Sequence, residues 1–418
     1  MVEDETSTRR DAIKYGFTVA ASGLLAGCTD QESSGSDVTE TATPTPEPTA
    51  TASKAGTPTE ESYTATMPPV GEVTLEAPPS SWIGGLGFTA DVLTALGQAD
   101  GAVGMVDPSF WYTGFYDFLD GVTAPSTDEL AQITTEDRET DVEMVYELEP
   151  DLMAVDPNAL MGIYGLDQEG ARQIEADVAP WFGNESRRKR FDGWTHWPVG
   201  EPYDYLSLPE YIPKYAALFG ERERGNALLE LYEPFVEEVT TRLPPAEDRR
   251  SMALVNGRYN PENRDGWVVY NPNSEVEATW GKKQYRDLGV VDAFEGAYDG
   301  QSSVTVDHEG LLEYDPDVII FNFGITYRDF DGTNYIQQQR ELLEDHPVGS
   351  RVTAVDNGDL YVGGTPYQGP IINMFQTEMA AKQLYPEEFG AYPGYGELSS
   401  DEQLFDRQRL AEIATGDV

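Results

Sequence analysis

The sequence contains very few of the residues that build disulfides and metal sites. It has one cysteine, Cys28, and three histidines in 418 residues. A single cysteine excludes an internal disulfide. Three histidines in dissimilar contexts disfavour a site for a bare zinc or manganese ion, whose usual ligands are neutral imidazoles. We therefore expect no resident metal and no cofactor, while the many tyrosines and carboxylates keep bare ferric iron open as a ligand.

Basic residues are scarce as well. There are 27 Lys and Arg against 75 Asp and Glu, which gives a formal net charge of −48, and seven of the basic residues are lysine. Nothing in such a chain would neutralise phosphates, so nucleic acid is excluded as a partner. The acids run along the whole chain, as in proteins of salt-loving archaea, where a Debye length of about 3 Å at molar salt screens their repulsion.

Catalytic motifs are also missing. The chain contains no G-x-S-x-G, no H-E-x-x-H and no second cysteine to act as a nucleophile. Acidic pairs occur everywhere, so none of them indicates a glycosidase dyad. We expect no catalytic residues and no enzymatic activity.

The N-terminal region has the features of an export signal. A short apolar run, too short to span a bilayer, lies between Arg9-Arg10 and the sequence Leu25-Ala26-Gly27-Cys28. Twin arginines are typical of the route that exports folded proteins, and L-A-G-C resembles a lipobox, in which the cysteine is lipidated. We predict a signal over residues 1–27 and a lipid anchor at Cys28 on the extracytoplasmic face of the cell membrane. The alternative is a buried helix with a chance cysteine.

Residues 28–69 are rich in Thr, Pro, Glu, Ser and Ala. Such a composition cannot bury a core and predicts a disordered tether. The remainder is long enough for two domains. Its predicted parts are an N-terminal lobe over 70–205, a connecting helix over 206–220, a C-terminal lobe over 221–390 and a C-terminal extension with one helix over 391–418.

Two distant stretches share one pattern, a Glu followed after six residues by Pro-Asp and an apolar run. They are VEMVYELEPDLMAV at 142–155 and DHEGLLEYDPDVIIF at 307–321. The pattern predicts a helix that stops before proline, a tight turn and a buried strand. Its repetition indicates two α/β lobes of similar topology. Further strand candidates include GEVTLEA in the first lobe and RVTAV in the second, and strands that alternate with helices favour mostly parallel sheets.

The segment from Leu206 to Pro245 has apolar residues at helical spacing, and Gly220 is a candidate break between two helices. A helix between the lobes would be a stiff connector. The predicted fold class is therefore α/β, with two Rossmann-like lobes joined by one long rigid helix and a ligand cleft between the lobes.

The stretch IGGLGFTADVL, residues 83–93, contains G-x-G-x-x-A ahead of a helical pattern, and Asp107 follows the next apolar run. This is the outline of a dinucleotide-binding fingerprint. However, PPSSWI separates the glycines from the strand candidate VTLEA and is interpreted as an irregular loop. We expect these glycines to shape a loop and to allow close helix packing, with Asp107 capping a turn or facing the cleft.

The paired Glu-x6-Pro-Asp units, the connecting helix, AVDNGDLYVGG at 354–364 and TEMAAKQLYPEEF at 377–389 together resemble the substrate-binding lipoproteins of ABC importers for ferric siderophores, haem and cobalamin, of class III and haloarchaeal type. The resemblance implies a monomer that captures a ferric siderophore and delivers it to an ABC permease and its ATPase. Cobalamin or haem is the alternative ligand. By motif, Glu143 and Glu309 correspond to the residues that dock on the permease. The alternative is a solvated Glu in the first turn of a helix, where the helix dipole favours it.

Aromatic loops supply the candidate ligand contacts, because a bulky or chelated ligand suits stacking and charge pairing. The predicted ligand-binding residues are Trp82, Trp111, Tyr112, Trp181, Arg258, Tyr259, Tyr327, Arg328 and Tyr367. For each of them a place in the core or at its rim is an equally good interpretation.

The basic run Arg187-Arg188-Lys189-Arg190 stands out in an acidic chain. It is either a solvated loop balanced by neighbouring acids or a clamp for an anionic chelate such as a ferric catecholate or carboxylate. Asn184-Glu185-Ser186 fits a glycan acceptor in a surface loop. Two other classes of function stay open: an exported enzyme on this scaffold, and a surface sensor or adhesin.

Overall fold

The computed structural model describes residues 62–190, 194–195, 197–198, 203–257, 266–275, 278–327, 333–394 and 397–418. The predicted signal, the predicted lipidation site Cys28 and most of the predicted tether lie outside these residues. Within the described ranges, no helix combines the length and the apolar character that a membrane crossing needs.

The first described element is an antiparallel hairpin of β1 (Tyr63–Met67) and β2 (Gly71–Leu75). Thr64 and Thr74 face each other across it, with their hydroxyl oxygens 2.9 Å apart. β-branched residues favour strands, which explains why this polar segment is ordered. The prediction that the tether runs to residue 69 is wrong, because the hairpin lies inside that range. GEVTLEA is a hairpin strand and does not join the sheet of the first lobe.

The first lobe contains a parallel sheet of β3 (Trp82–Gly84), β4 (Ala102–Met105), β5 (Ala131–Gln132) and β6 (Leu152–Ala154). The strand order is β5-β4-β3-β6. Every residue of β3 and β6 is buried, as expected for parallel strands that are covered on both faces.

The second lobe contains a six-stranded sheet of β7 (Ser251–Asn256), β8 (Trp267–Tyr270), β9 (Val291–Asp292), β10 (Ser303–Val306), β11 (Val318–Asn322) and β12 (Leu360–Val362). Its order is β10-β8-β7-β11-β12, and β9 also pairs with β7. β8 is antiparallel to its neighbours β7 and β10, while β7 pairs in parallel with β9 and β11, and β11 with β12. The predicted α/β class with mostly parallel sheets is confirmed.

Helices surround both sheets. In chain order they are α1 (Gly87–Ala95), α2 (Val142–Leu148), α3 (Pro157–Ile163), α4 (Gln168–Asp177), α5 (Leu208–Leu218), α6 (Arg222–Thr241), α7 (Lys283–Asp287), α8 (His308–Tyr314), α9 (Gly324–Tyr327), α10 (Thr333–Glu344), α11 (Thr353–Asn357), α12 (Pro370–Leu384), α13 (Pro386–Phe389) and α14 (Arg407–Thr415). RVTAV, predicted as a strand, instead leads into α11. A short apolar run does not by itself separate strand from helix. All residues of α1 and α12 are buried, so these two helices form the centre of the molecule.

Two helices, α5 and α6, connect the two sheets in sequence. Gly220 between them has a φ of +75°, a left-handed conformation that glycine adopts without steric cost. The predicted break at Gly220 is confirmed. The connecting helix predicted over 206–220 corresponds to α5, which has 11 residues, and the longer, 20-residue α6 follows it. At 1.5 Å per residue, α6 is about 30 Å long.

The repeated Glu-x6-Pro-Asp pattern folds in the same way in both lobes. Asp151 directly precedes β6, and its Oδ2 accepts from the backbone N–H groups of Ser80 and Ser81, just before β3. Asp317 precedes β11 and its Oδ2 accepts from the N–H and hydroxyl of Ser251, the first residue of β7. Each aspartate thus fixes the register between its own strand and the neighbouring parallel strand. The predicted duplication is confirmed.

The C-terminal extension is part of the core. The guanidinium of Arg407 in α14 lies 2.5 Å from the Glu378 carboxylate in α12, and both side chains are buried. The same guanidinium lies 4.8 Å from the ring centre of Phe375. Leu410 and Ile413 of α14 are fully buried. The predicted extra helix is confirmed, and a buried ion pair attaches it.

Candidate functional site

A cavity of about 920 Å³ opens beside the carboxyl end of β11. Asn322, the last residue of β11, and Phe323 form one side of it, and Tyr270 at the end of β8 forms another. The segment 187–190, which precedes α5, also lines the cavity, and its Arg187 lies against the ring of Tyr367. Ligands of α/β sheets bind beyond the carboxyl ends of strands, and pockets of roughly 300–1,000 Å³ hold small molecules. The cavity therefore has the place and the size of a ligand site.

The charge of the cavity is opposite to that of the chain. Five cationic side chains line it against two acidic ones, namely Arg187, Arg188, Lys189, Arg190 and Lys282 against Glu275 and Asp299. Over the whole sequence, 75 acidic residues stand against 27 basic ones. Fixed charge of one sign in a concave site attracts ligands of the other sign, so the cavity favours an anion.

Two arginines of the basic run already have carboxylate partners. Arg187 Nε lies 3.1 Å from Glu185 Oε1, and its guanidinium lies 4.9 Å from the ring centre of Tyr367. Arg190 pairs with the fully buried carboxylate of Asp156. Asp156 also accepts from the Tyr203 hydroxyl, and the Arg190 guanidinium lies against the ring of that tyrosine. Arg190 therefore fixes the run to the first lobe, while Arg187 forms a wall with Tyr367.

Lys282 enters the cavity from the second lobe, one residue before α7. Its side chain is nearly buried, and Nζ donates to the Asn271 carbonyl at 2.6 Å and to the Ser274 hydroxyl at 2.7 Å. Among the described residues the nearest carboxylate, that of Glu275, lies 4.0 Å away. Burial lowers the pKa of Lys282 to about 8. This ammonium group is held mainly by neutral acceptors.

Tyrosines supply the flat surfaces of the cavity. Tyr270, Tyr298 and Tyr367 line it. The Tyr298 hydroxyl donates to Asp292 Oδ1, and burial raises the pKa of this phenol well above its ordinary value. Among the described residues, no group of three His, Cys, Asp or Glu side chains is arranged to hold a metal ion.

Three of the predicted ligand-binding tryptophans lie in the first-lobe core. The Trp82 indole N–H donates to the Gln98 carbonyl, and that of Trp181 donates to the Ala171 carbonyl, both at 2.9 Å. Trp111 is 3 % exposed. The sequence left two interpretations for these residues, ligand contact and a place in the core. The structure places all three in the core, and none of them lines the cavity.

The other predicted ligand residues have different positions. Tyr367 lines the cavity. Tyr112 is partly buried and packs edge-on against Phe115, 4.9 Å between ring centres. Tyr327 is the last residue of α9, in which only its backbone is described. Arg258, Tyr259 and Arg328 lie outside the described residues, so their predicted roles stay predictions.

The two predicted docking residues occupy equivalent positions. Glu143 is the second residue of α2 and Glu309 the second residue of α8, and both side chains are exposed. Asp141 and Asp307 cap these helices in the same way, each accepting from the backbone N–H three residues later. A docking role for Glu143 and Glu309 stays a prediction.

The glycine-rich stretch does lead from a strand into a helix. PPSSWI is not an irregular loop throughout, because Trp82 and Ile83 belong to β3 and α1 follows at Gly87. The N-terminus of α1 is nevertheless covered. A Cβ at Gly87 would lie 2.2 Å from the Phe110 carbonyl oxygen. These glycines thus serve close packing, as expected, and Asp107 caps a turn by accepting from the Ser109 N–H.

The predicted glycan acceptor is buried. Asn184 is 1 % exposed, and its amide nitrogen donates to the carbonyls of Pro68 and Asp204. Its side-chain oxygen accepts from the Ser186 hydroxyl. The expectation that this sequon lies in a surface loop is wrong, because the amide joins the hairpin turn to the segment before α5.

Sequence reasoning missed Lys282, Asn322 and Tyr298 as cavity residues. Asn322 follows directly after the buried run VIIF, so its place at a strand end was a usable signal. Lys282 carried a weaker signal, as one of seven lysines in an acidic chain. Sequence reasoning also missed that His308 and His346 stack, with 3.7 Å between their ring centres.

The comparisons with known proteins agree with this architecture. Residues 87–367 match the family model described as periplasmic binding protein. The fold is similar to a periplasmic binding protein from Veillonella parvula, with a TM-score of 0.51 and 13 % identity over 77 % of this chain and 97 % of that chain. It is also similar to CeuE of Helicobacter pylori with Ni(II) bound, with a TM-score of 0.50 and 13 % identity over 84 % of this chain and 96 % of that one.

A comparison with curated protein sequences found no significant match. The likeness to the two solved structures, at 13 % identity, concerns the fold alone. The family model is more specific, because it spans both lobes, from α1 to the cavity residue Tyr367. The two-lobed α/β fold with a cavity beside the sheet of one lobe is the architecture of that family, and the chain belongs to the periplasmic binding protein family.

Proposed function

We propose that the protein captures a ferric siderophore outside the cytoplasm and delivers it to an ABC permease without changing it chemically. One observation carries this proposal. In a member of a binding-protein family, a cavity of about 920 Å³ is lined by tyrosines and by five cationic side chains. An iron(III) chelate is bulky, carries aromatic or carboxylate donors in many siderophores, and suits such a lining.

Delivery requires a surface that the permease recognises. Glu143 and Glu309 support this part of the proposal, because they are exposed at equivalent positions of the duplicated helix-turn-strand units. One carboxylate on each lobe would orient the protein on two permease subunits and speed the encounter. The proposed lipid anchor at Cys28 would keep the protein at the membrane, and the ATPase would drive release of the ligand.

The first test is a titration of the purified full-length chain, followed by intrinsic tryptophan fluorescence. Ferric catecholate, ferric citrate and ferric hydroxamate complexes are added in turn, followed by haem and cobalamin. Saturable quenching by a ferric complex at micromolar or lower concentration is the expected result. Binding of haem or cobalamin alone would keep the transport role and overturn the iron ligand.

Other outcomes address the remaining classes. Recovery of the ligand unchanged after incubation is expected, and a modified ligand would establish an exported enzyme. If nothing in the series binds to the folded protein, a sensor or adhesin that recognises a surface partner becomes the better hypothesis. Intact mass of the membrane-bound form tests the anchor, since Cys28→Ser should remove a lipid adduct.

A further inference from the structure

We propose that the cavity selects ferric complexes with a net negative charge over neutral ones, and that Lys282 and Arg188 are the residues that determine this specificity. The inference rests on the proposed function, because it concerns which iron(III) chelate the same cavity accepts.

Lys282 is a buried cation whose charge is compensated only in part. The residue is 7 % exposed, and its ammonium group donates to a backbone carbonyl and to a serine hydroxyl. A buried charge costs free energy unless an opposite charge compensates it. Glu275, at 4.0 Å, compensates Lys282 only in part, and the same carboxylate also accepts from the Lys189 backbone N–H. An anionic ligand in the cavity would complete the compensation.

Backbone hydrogen bonds hold the cations of the cavity in place before any ligand binds. The Gly281 N–H donates to the Arg187 carbonyl at 2.8 Å, and the Trp280 N–H donates to the Ser186 carbonyl at 3.3 Å. These bonds join the basic run to the residues that precede Lys282. The positive groups from the two sides of the cavity are therefore held together, and a preorganised site loses less entropy on binding.

The arginines of the basic run differ in their surroundings. Arg187 and Arg190 are committed to Glu185 and Asp156. Arg188 lines the cavity between them, and burial together with the charge of Arg187 lowers its pKa. This crowding of like charge is relieved by an anion. Arg188 and Lys282 both line the cavity as partly or fully buried cations, so both gain compensating charge when an anion binds there.

A fourth observation concerns the chemistry of the ligand. Asn322 lines the same cavity, is 2 % exposed, and its side-chain oxygen accepts no hydrogen bond from the described residues. A buried acceptor without a donor is unfavourable. A ligand that brings an N–H or O–H group as well as negative charge would satisfy it. Amide-linked catecholates and hydroxycarboxylates carry both features.

The experiment compares ferric complexes that differ in charge. The full-length protein is titrated with an anionic ferric tris-catecholate, with anionic ferric citrate and with a neutral ferric trihydroxamate. We expect at least one anionic complex to bind about 100-fold more tightly than the neutral one. Lys282→Met should weaken the anionic complex about 10-fold or more and leave the neutral one unchanged, and Arg188→Gln should act in the same direction.

Lys283→Met is the matched control. Lys283 is the next residue, pairs with Asp287 in α7 and does not line the cavity, so its loss should not change affinity. Lys282→Arg retains the charge and should retain the preference. Urea unfolding of each variant checks that it is folded, and Arg188, which is more exposed than Lys282, provides a second variant if Lys282→Met is unstable.

The outcomes separate the two proposals. Equal or tighter binding of the neutral trihydroxamate overturns the charge preference and leaves ferric siderophore capture standing. An equal loss of both complexes in Lys282→Met overturns the role of Lys282. If haem binds and no ferric chelate does, the proposed function fails and this inference fails with it.

Discussion

The carboxylate of Asp91 gives the sharpest prediction about stability. Asp91 lies in α1, is fully buried, and accepts from the Tyr116 hydroxyl at 2.8 Å and from the Ile372 N–H of α12 at 3.0 Å. Burial raises the pKa of Asp91 to about 7, although these hydrogen bonds lower it. The folded protein therefore holds a proton at Asp91 that the unfolded chain releases near pH 3.8.

The sign follows from proton linkage. Because the folded pKa is raised, the contribution of Asp91 to stability is complete below about pH 4 and is lost as the pH rises through about 7. A pKa that moves from 3.8 to about 7 corresponds to a loss of roughly 4 kcal/mol at high pH, at about 1.4 kcal/mol per unit. Between pH 5 and pH 8 the loss is roughly 2–3 kcal/mol.

Asp91→Asn tests this value. The amide cannot ionise, so the variant lacks this loss. Between pH 5 and pH 8, the decrease in its free energy of unfolding should be smaller than that of the wild type by roughly 2–3 kcal/mol. Urea unfolding at a fixed high salt concentration measures the difference. Asp120→Asn replaces an exposed aspartate and should follow the wild type. Parallel pH profiles for wild type and Asp91→Asn would refute the linkage.

Three further predictions concern other contacts. Arg407→Met leaves Glu378 buried without its partner and should lower the free energy of unfolding by about 3 kcal/mol, and Glu378→Gln in the same chain should restore part of it. Asn184→Ala removes three hydrogen bonds and should cost about 2 kcal/mol in urea unfolding, while intact mass of the wild type should show no glycan at this residue. Glu143→Arg with Glu309→Arg should abolish ligand-stimulated ATPase activity of the reconstituted transporter and leave ligand affinity unchanged; unchanged stimulation would rule out docking through these acids.

The duplicated part of the fold was predictable because its signals are local. Proline stops a helix at the preceding residue, and an apolar run after Pro-Asp forms a buried strand, so the two units were placed correctly from spacing alone. The further role of Asp151 and Asp317 was not predictable. Their partners Ser81 and Ser251 are 70 and 66 residues away in sequence, and no local pattern links them.

The tryptophans show the opposite case. Trp82 and Trp181 stand beside loops in the sequence, but both rings are buried and both indole N–H groups bond to backbone carbonyls. Aromatic side chains bury large apolar areas wherever they are placed. Sequence composition therefore cannot distinguish a ring that stacks on a ligand from one that fills the core under a short strand.

For the basic run 187–190, two interpretations were equally good from sequence, a solvated loop and a clamp. The structure shows that its members divide. Arg190 is buried against Asp156, whereas Arg188 lines the cavity. The deciding contacts come from residues about 30 positions earlier and about 90 positions later, and these are brought together by tertiary packing.

The strongly acidic surface and the cationic cavity also differ in their sensitivity to salt. Exposed charges such as Glu143 and Glu309 are screened within about 3 Å at molar salt, whereas buried charges such as Lys282 are screened much less. Rising salt should therefore weaken docking on the permease before it weakens capture of an anionic ligand. At molar salt the buried cations would keep the ligand specificity, while docking through Glu143 and Glu309 would be weaker than in dilute buffer.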